Sequence, residues 1–208
     1  MRLRDRFLPI VSLMARPLVP LFIGLRVSAN AVTILSLCAG LLAGWAFSHG
    51  TVPMMLAGAV VFFFSNVLDE CDGKVARQTN SCSEFGVLLD TVTDSIVHAA
   101  LFYGLGIGLH RQFPQGPWFL LGAVAAGGSI LSCALDVGRI TPWQAPSPSE
   151  GISLAWVIEW LRIDFSLLVV LSAALKQMGW ILWAGALGVF LFWIPSTFLI
   201  AIRNRRAS

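Results

Sequence analysis

The sequence predicts an all-α integral membrane protein: six transmembrane helices preceded by a short helix lying in the membrane interface. Three observations carry that expectation. Of 208 residues, 57% are hydrophobic and only 12% charged, where a soluble domain carries roughly 25% charged residues. Six apolar stretches, at about 30–48, 53–72, 86–108, 117–136, 155–175 and 180–202, match the roughly 20 residues a helix needs to cross a bilayer. All of the 14 Lys and Arg residues except Arg111 and Lys176 fall on one side of the resulting topology, which marks that side as cytoplasmic. Disordered and fibrous classes do not fit such a composition. The net charge of +3 follows from the same bias, with basic residues at the headgroup level, and gives no argument for a nucleic-acid partner.

In chain order, residues 1–27 form an N-terminal interfacial segment. Arg16, Arg26 and three prolines interrupt any signal-peptide core. Phe7, Leu8, Ile10, Val11 and Leu13 beside Arg4, Arg6 and Arg16 suit a helix lying flat at the interface. Residues 28–208 are expected to form one six-helix transmembrane domain with a polar hairpin at 69–94. Every join between spans carries Pro, Gly, Ser or charge. The fifth span is the least regular, because Glu159, Arg162 and Asp164 crowd its start. Trp118, Trp143, Trp156, Trp160, Trp180 and Trp183 lie near span ends, where indoles form an interfacial belt. Cys38, Cys71, Cys82 and Cys133 make no C-x-x-C pair and read as small apolar residues. An even number of spans places both termini, and the hairpin, on the cytoplasmic side.

The hairpin, "LDECDGKVARQTNSCSEFGVLLDTVTDS", interrupts this apolar pattern with Asp69, Asp72, Asp90 and Asp94. A carboxylate at membrane depth costs a few kcal/mol, about 2.5–3.5 at the centre of a helix, and normally faces a bundle interior or a water-filled cavity. Asp69 and Asp72 are i and i+3 at the end of the second span; Asp90 and Asp94 are i and i+4 at the start of the third. Each pair shares a helix face, and antiparallel helices joined by the "RQTNSCSE" turn can aim both pairs into one gap. Such an all-oxygen set suits two divalent cations, Mg2+ or Mn2+, a natural clamp for phosphoryl transfer. Gly73 leaves room for close approach, Gly86 opens a slot one turn before Asp90, Arg77 supplies a fixed cation, and Ser83 supplies a hydroxyl. His98, one turn past Asp94, can reach the site, although it reads first as a packing histidine. A cation or proton path lined by the same carboxylates accounts for the spacing equally well.

The run Asp69-x-x-Asp72-Gly73-x-x-Ala76-Arg77, followed after a fixed gap by Gly86-x-x-x-Asp90-x-x-x-Asp94, resembles the motif of the CDP-alcohol phosphotransferase (phosphatidyltransferase) family at every defined position. A weaker likeness lies upstream, where Ser28-Ala29-Asn30-Ala31-Val32-Thr33 resembles the family's Thr-Pro-Asn-x-x-Thr run, with Ala29 in place of proline. The resemblance implies a metal-dependent enzyme of phospholipid biosynthesis. It would transfer a substituted phosphate from a CDP-linked donor to an alcohol and release CMP. It also implies that Asp69, Asp72 and Asp90 bind two divalent cations and that Asp94 completes the shell of the second cation and acts as general base. Gly73, Arg77, Ser83 and Gly86, with Asn30 and Thr33, would hold the donor, and the family is commonly homodimeric. Arg77 and the two glycines at motif spacing argue against the transport alternative, which has no use for them.

The donor expected is CDP-diacylglycerol, whose tails can enter between helices from the bilayer; a soluble CDP-alcohol with a lipid acceptor uses the same motif. Arg162 and Asp164, at the cavity mouth, and Arg139 are the residues expected to shape the choice of acceptor alcohol, since a guanidinium pair can grip an acceptor phosphate.

Overall fold

In the computed structural model, residues 10–137 and 165–188 are described. Their regular structure is all helix: α1 Ile10–Gly24, α2 Ala29–Ser48, α3 Val52–Gln78, α4 Glu84–Gln112, α5 Trp118–Val137, α6 Phe165–Ala174 and α7 Gly179–Gly188. Helices α2, α3 and α4 are long and apolar enough to cross a membrane. Their outward surfaces carry Leu35, Leu42, Trp45, Phe64, Ile96 and Tyr103, all exposed, which suits a lipid surround better than water. The first four spans read from hydropathy correspond to α2–α5. Helices α6 and α7 are the described parts of the fifth and sixth, whose remainders lie outside the described residues.

Local chemistry sets the joins. Ser28 caps α2, its side-chain oxygen accepting from the Ala31 N–H, and Pro53 occupies the first turn of α3 after Thr51. Arg26 and Asn80 hold left-handed backbone, with φ 55° and 52°. At each, the following N–H reaches back across the helix end, Val27 to the Phe22 carbonyl and Ser81 to the Ala76 carbonyl, both at 2.9 Å. This closure turns the chain sharply at a helix C-terminus.

α1 is docked along the end of α3. Val11, Ala15 and Val19 lie on one face by i, i+4 spacing and pack in one buried cluster with Val67, Cys71 and Val75 of α3. Beside that apolar seam, Lys74 Nζ sits 3.0 Å from Glu70 Oε1 and 2.7 Å from Ser12 Oγ, and Ser12 Oγ donates to Glu70 at 3.0 Å. The predicted interfacial helix is therefore a helix bonded to the acidic end of α3, with Ile10, Leu13 and Met14 exposed on its outer side.

α2 is the central element. It packs along both α3 and α4, which touch each other far less than either touches α2. A reciprocal pair of hydrogen bonds joins it to α3: Ser36 Oγ donates to the Ser65 carbonyl at 3.0 Å and Ser65 Oγ to the Ser36 carbonyl at 2.8 Å. Serine pairs of this kind are suited to joining helices where water is absent. Against α4 the backbones nearly touch, since a Cβ on Gly104 would stand 2.2 Å from the Gly44 carbonyl oxygen. Gly40-x-x-x-Gly44 and Gly104-x-x-x-Gly108 are the small-residue ridges that allow this crossing.

A branched side chain at position 104 would force the helices apart, because the atom in the way is backbone. Gly104→Leu is expected to cost more than the 1–3 kcal/mol typical of overpacking and to abolish a monodisperse peak in size-exclusion chromatography. Gly127→Leu, where a Cβ would meet nothing within 4 Å, should behave as wild type in the same assay.

Candidate functional site

α3 has 27 residues and α4 has 29, so at 1.5 Å per residue they run about 40 Å and about 44 Å, against a hydrocarbon core of about 30 Å. Both helices are thus longer than the apolar layer is thick. The acidic residues lie toward one end of each: Asp69 and Asp72 in the last three turns of α3, Asp90 and Asp94 in the first three turns of α4. The second predicted span ended at 72 because its hydrophobicity ends there; the helix itself continues to Gln78.

Three of the four aspartates come together. One carboxylate oxygen from each of Asp69, Asp72 and Asp90 lies within 4.8 Å of the others. Asp72 is 5% exposed. Its Oδ2 accepts a hydrogen bond from Thr33 Oγ1 at 2.5 Å, which ties α2 into the cluster. Thr33 was expected among the donor-binding residues; it touches the acidic group directly. Asp94 stands outside the triad, with Oδ1 3.0 Å from His98 Nδ1.

The remaining motif residues gather around this centre. Ser83 caps α4, its Oγ accepting from the Gly86 N–H at 3.0 Å. A Cβ on Gly86 would sit 3.2 Å from Ser83 Oγ and 3.5 Å from Asn30 Oδ1. The start of α2, the cap of α4 and the glycine slot thus form one polar corner. Arg77 folds back over Gly73, where a Cβ would lie 3.2 Å from a guanidinium nitrogen. The space above Gly73 is occupied by this cation. Lys74, on the far side of α3, is engaged with Glu70 and Ser12. Arg139, Arg162 and Asp164, the expected acceptor residues, lie outside the described residues.

The donor set fits a hard divalent ion. It is made only of carboxylate oxygens, which suit Mg2+ or Mn2+. The spread of at most 4.8 Å is near the roughly 4.2 Å between opposite ligands of octahedral Mg2+, twice its bond length. Three acidic groups this close repel strongly, at about 4 kcal/mol per charged pair at 4 Å and an effective dielectric of 20, so a cation among them offsets a real cost.

Sequence reasoning missed the Thr33–Asp72 bond and ranked the His98–Asp94 contact below a packing role. Only the second left a trace in the sequence, the i, i+4 spacing on α4.

The chain is similar in sequence to known proteins. The family model described as CDP-alcohol phosphatidyltransferase matches residues 26–194. Over 84 residues the chain is 32% identical to the archaetidylinositol phosphate synthase of Pyrococcus horikoshii. That stretch covers 40% of this chain and 43% of the relative, so less than half of the relative's length is matched.

Proposed function

Because the chain belongs to the CDP-alcohol phosphatidyltransferase family, we propose that it is an integral membrane enzyme of phospholipid synthesis. It moves a substituted phosphate from a CDP-linked donor, CDP-diacylglycerol, to an alcohol and releases CMP. The observation that carries this reading is the meeting of Asp69, Asp72 and Asp90 within 4.8 Å beside the polar corner of Asn30, Ser83 and Gly86.

In this reading Asp69, Asp72 and Asp90 hold two divalent cations, Mg2+ or Mn2+. Bound there, the ions offset charge on the phosphoryl oxygens and on departing CMP. Thr33 fixes the Asp72 carboxylate, while Asn30, Ser83 and Gly86 form the nucleotide slot. Arg77, held over Gly73, offers a guanidinium to the donor phosphates. Asp94 completes the second cation's shell and takes the proton of the attacking hydroxyl. Arg26, Lys74 and Arg77 lie at the acidic end of the bundle. Arg111 bonds the Ser48 carbonyl at 2.8 Å at the opposite end, and Lys176 lies in the α6–α7 turn of that end. That asymmetry supports a site and termini on the cytoplasmic side of a six-span domain of residues 28–208; that the enzyme is a homodimer rests on the family resemblance alone.

The relative's name makes inositol phosphate the first acceptor to test, with Arg139 and Arg162 as the cations for its phosphate. Purified protein is incubated with Mn2+, labelled CDP-diacylglycerol and, in turn, inositol phosphate, inositol, glycerol phosphate and serine. CMP release that depends on one alcohol, with the matching phospholipid formed, is the expected result; no CMP with any alcohol overturns the reading.

Thr33→Val keeps side-chain volume and removes the hydrogen bond to Asp72. Partners of metal-binding groups are worth about 10–100-fold in metal affinity, so the Mn2+ dissociation constant should rise by that factor. Titration followed by electron paramagnetic resonance measures it, and unchanged affinity would remove Thr33 from the site.

A further inference from the structure

We propose that His98 is a positioning residue: its Nδ1–H holds the Asp94 carboxylate in the orientation from which it accepts the acceptor hydroxyl's proton. The inference rests on the reading above that Asp94 is the base.

His98 Nδ1 lies 2.8 Å from the Asp94 backbone oxygen and 3.0 Å from Asp94 Oδ1. A backbone carbonyl and a carboxylate both accept, so the ring nitrogen between them carries the hydrogen. Fixing Oδ1 stops rotation of the carboxylate about its last torsion, and the second oxygen then has one direction to point. The ring is itself held by residues from two other helices. It stands edge-on to Phe62 of α3, with centroids 6.1 Å apart and planes at 83°, and it lies 6.4 Å from Phe165 at the start of α6. Phe62 is fully buried and meets Phe165 edge to face, at 6.4 Å and 90°. The His98 N–H thus links the Asp94 carboxylate to an aromatic corner built by two other helices. A base held in this way meets its proton without first searching rotamers, and a misplacement of about 1 Å costs on the order of 10²-fold.

A packing histidine and a positioning histidine differ in what replaces them. Phenylalanine fills the same space between Phe62 and Phe165 but donates nothing. Asparagine carries an amide nitrogen one bond beyond Cγ, close to the place of Nδ1. Glutamine carries its amide nitrogen one bond further, close to the place of Nε2.

The test measures CMP release from CDP-diacylglycerol, Mn2+ titration by electron paramagnetic resonance and unfolding midpoint for wild type, His98→Phe, His98→Asn and His98→Gln. His98→Phe is expected to lose about 10²-fold in kcat while donor KM, Mn2+ affinity and midpoint stay near wild type. His98→Asn should recover most of that loss and His98→Gln should not. Wild-type turnover in His98→Phe overturns the inference, as does equal recovery by Asn and Gln. A wild type that releases no CMP overturns the underlying reading and this inference with it, whereas an active wild type with an equally active His98→Phe overturns this inference alone.

Discussion

Asp94→Asn is expected to retain donor and Mn2+ binding and to lose about 10²–10⁴-fold in turnover, the range a general base contributes, equivalent to about 3–5 kcal/mol of barrier. The substitution keeps shape and keeps an oxygen both for the His98 N–H and for the second cation, so it removes charge and basicity and little else. Asp94 also stands apart from the three clustered oxygens of Asp69, Asp72 and Asp90, so the primary cation site survives. An interaction made only in the transition state lowers kcat and kcat/KM together. Steady-state kinetics with CDP-diacylglycerol and the identified alcohol check this. An Asp94→Asn enzyme with wild-type turnover would show that the proton leaves by another route, and a large rise in donor KM would make Asp94 chiefly a binding group.

The parts of this site legible in the sequence are those written along one helix. The spacing of Asp69 with Asp72 and of Asp90 with Asp94 fixes shared faces whatever the tertiary structure. The polar residues of "RQTNSCSE" announce the turn that joins them, and Asn80 with Ser83 supplies its left-handed residue and its cap. Apolar runs of span length located α2, α3 and α4 to within a few residues, apart from the continuation of α3 to Gln78. Contacts between helices remote in sequence were not legible. Hydrophobic pattern says which stretch is buried, not which partner it meets. The motif suggested that the ends of the second and third spans face one another directly. In the structure both pack chiefly against α2, while Phe62 and His98 meet directly and Asp69, Asp72 and Asp90 gather toward the turn end. That arrangement depends on Gly44 passing against Gly104, on Ser36 bonding to Ser65, and on Thr33 reaching Asp72. None of these pairs has a local signature. The His98–Asp94 bond follows from i, i+4 spacing, yet its consequence depends on Phe62 and Phe165, from two other helices.

The same crowding that makes a cation site should make the empty site a weak point, and this fixes the sign of a stability effect. With no cation, Asp72 is 5% exposed and shares a small volume with Asp69 and Asp90, where like charges repel. Asp72→Asn removes one charge without changing shape, and its side-chain oxygen can still accept from Thr33. The metal-free variant is therefore expected to unfold at a higher temperature than metal-free wild type, by about 2–4 °C for each kcal/mol relieved in a chain of this size. Mn2+ should reverse the order. A ligand at 100 times its dissociation constant stabilises the form that binds it by about 2.7 kcal/mol, a gain open to wild type and largely closed to the variant, whose turnover should fall to background. Such a trade between stability and activity is usual where function needs groups that folding alone would not place together. Thermal unfolding in chelator and in saturating Mn2+, for both proteins, decides it. Crossing curves are expected; an Asp72→Asn protein less stable than wild type in chelator, yet equally stabilised by Mn2+, would mean that the three carboxylates are held together for a purpose other than gripping a cation.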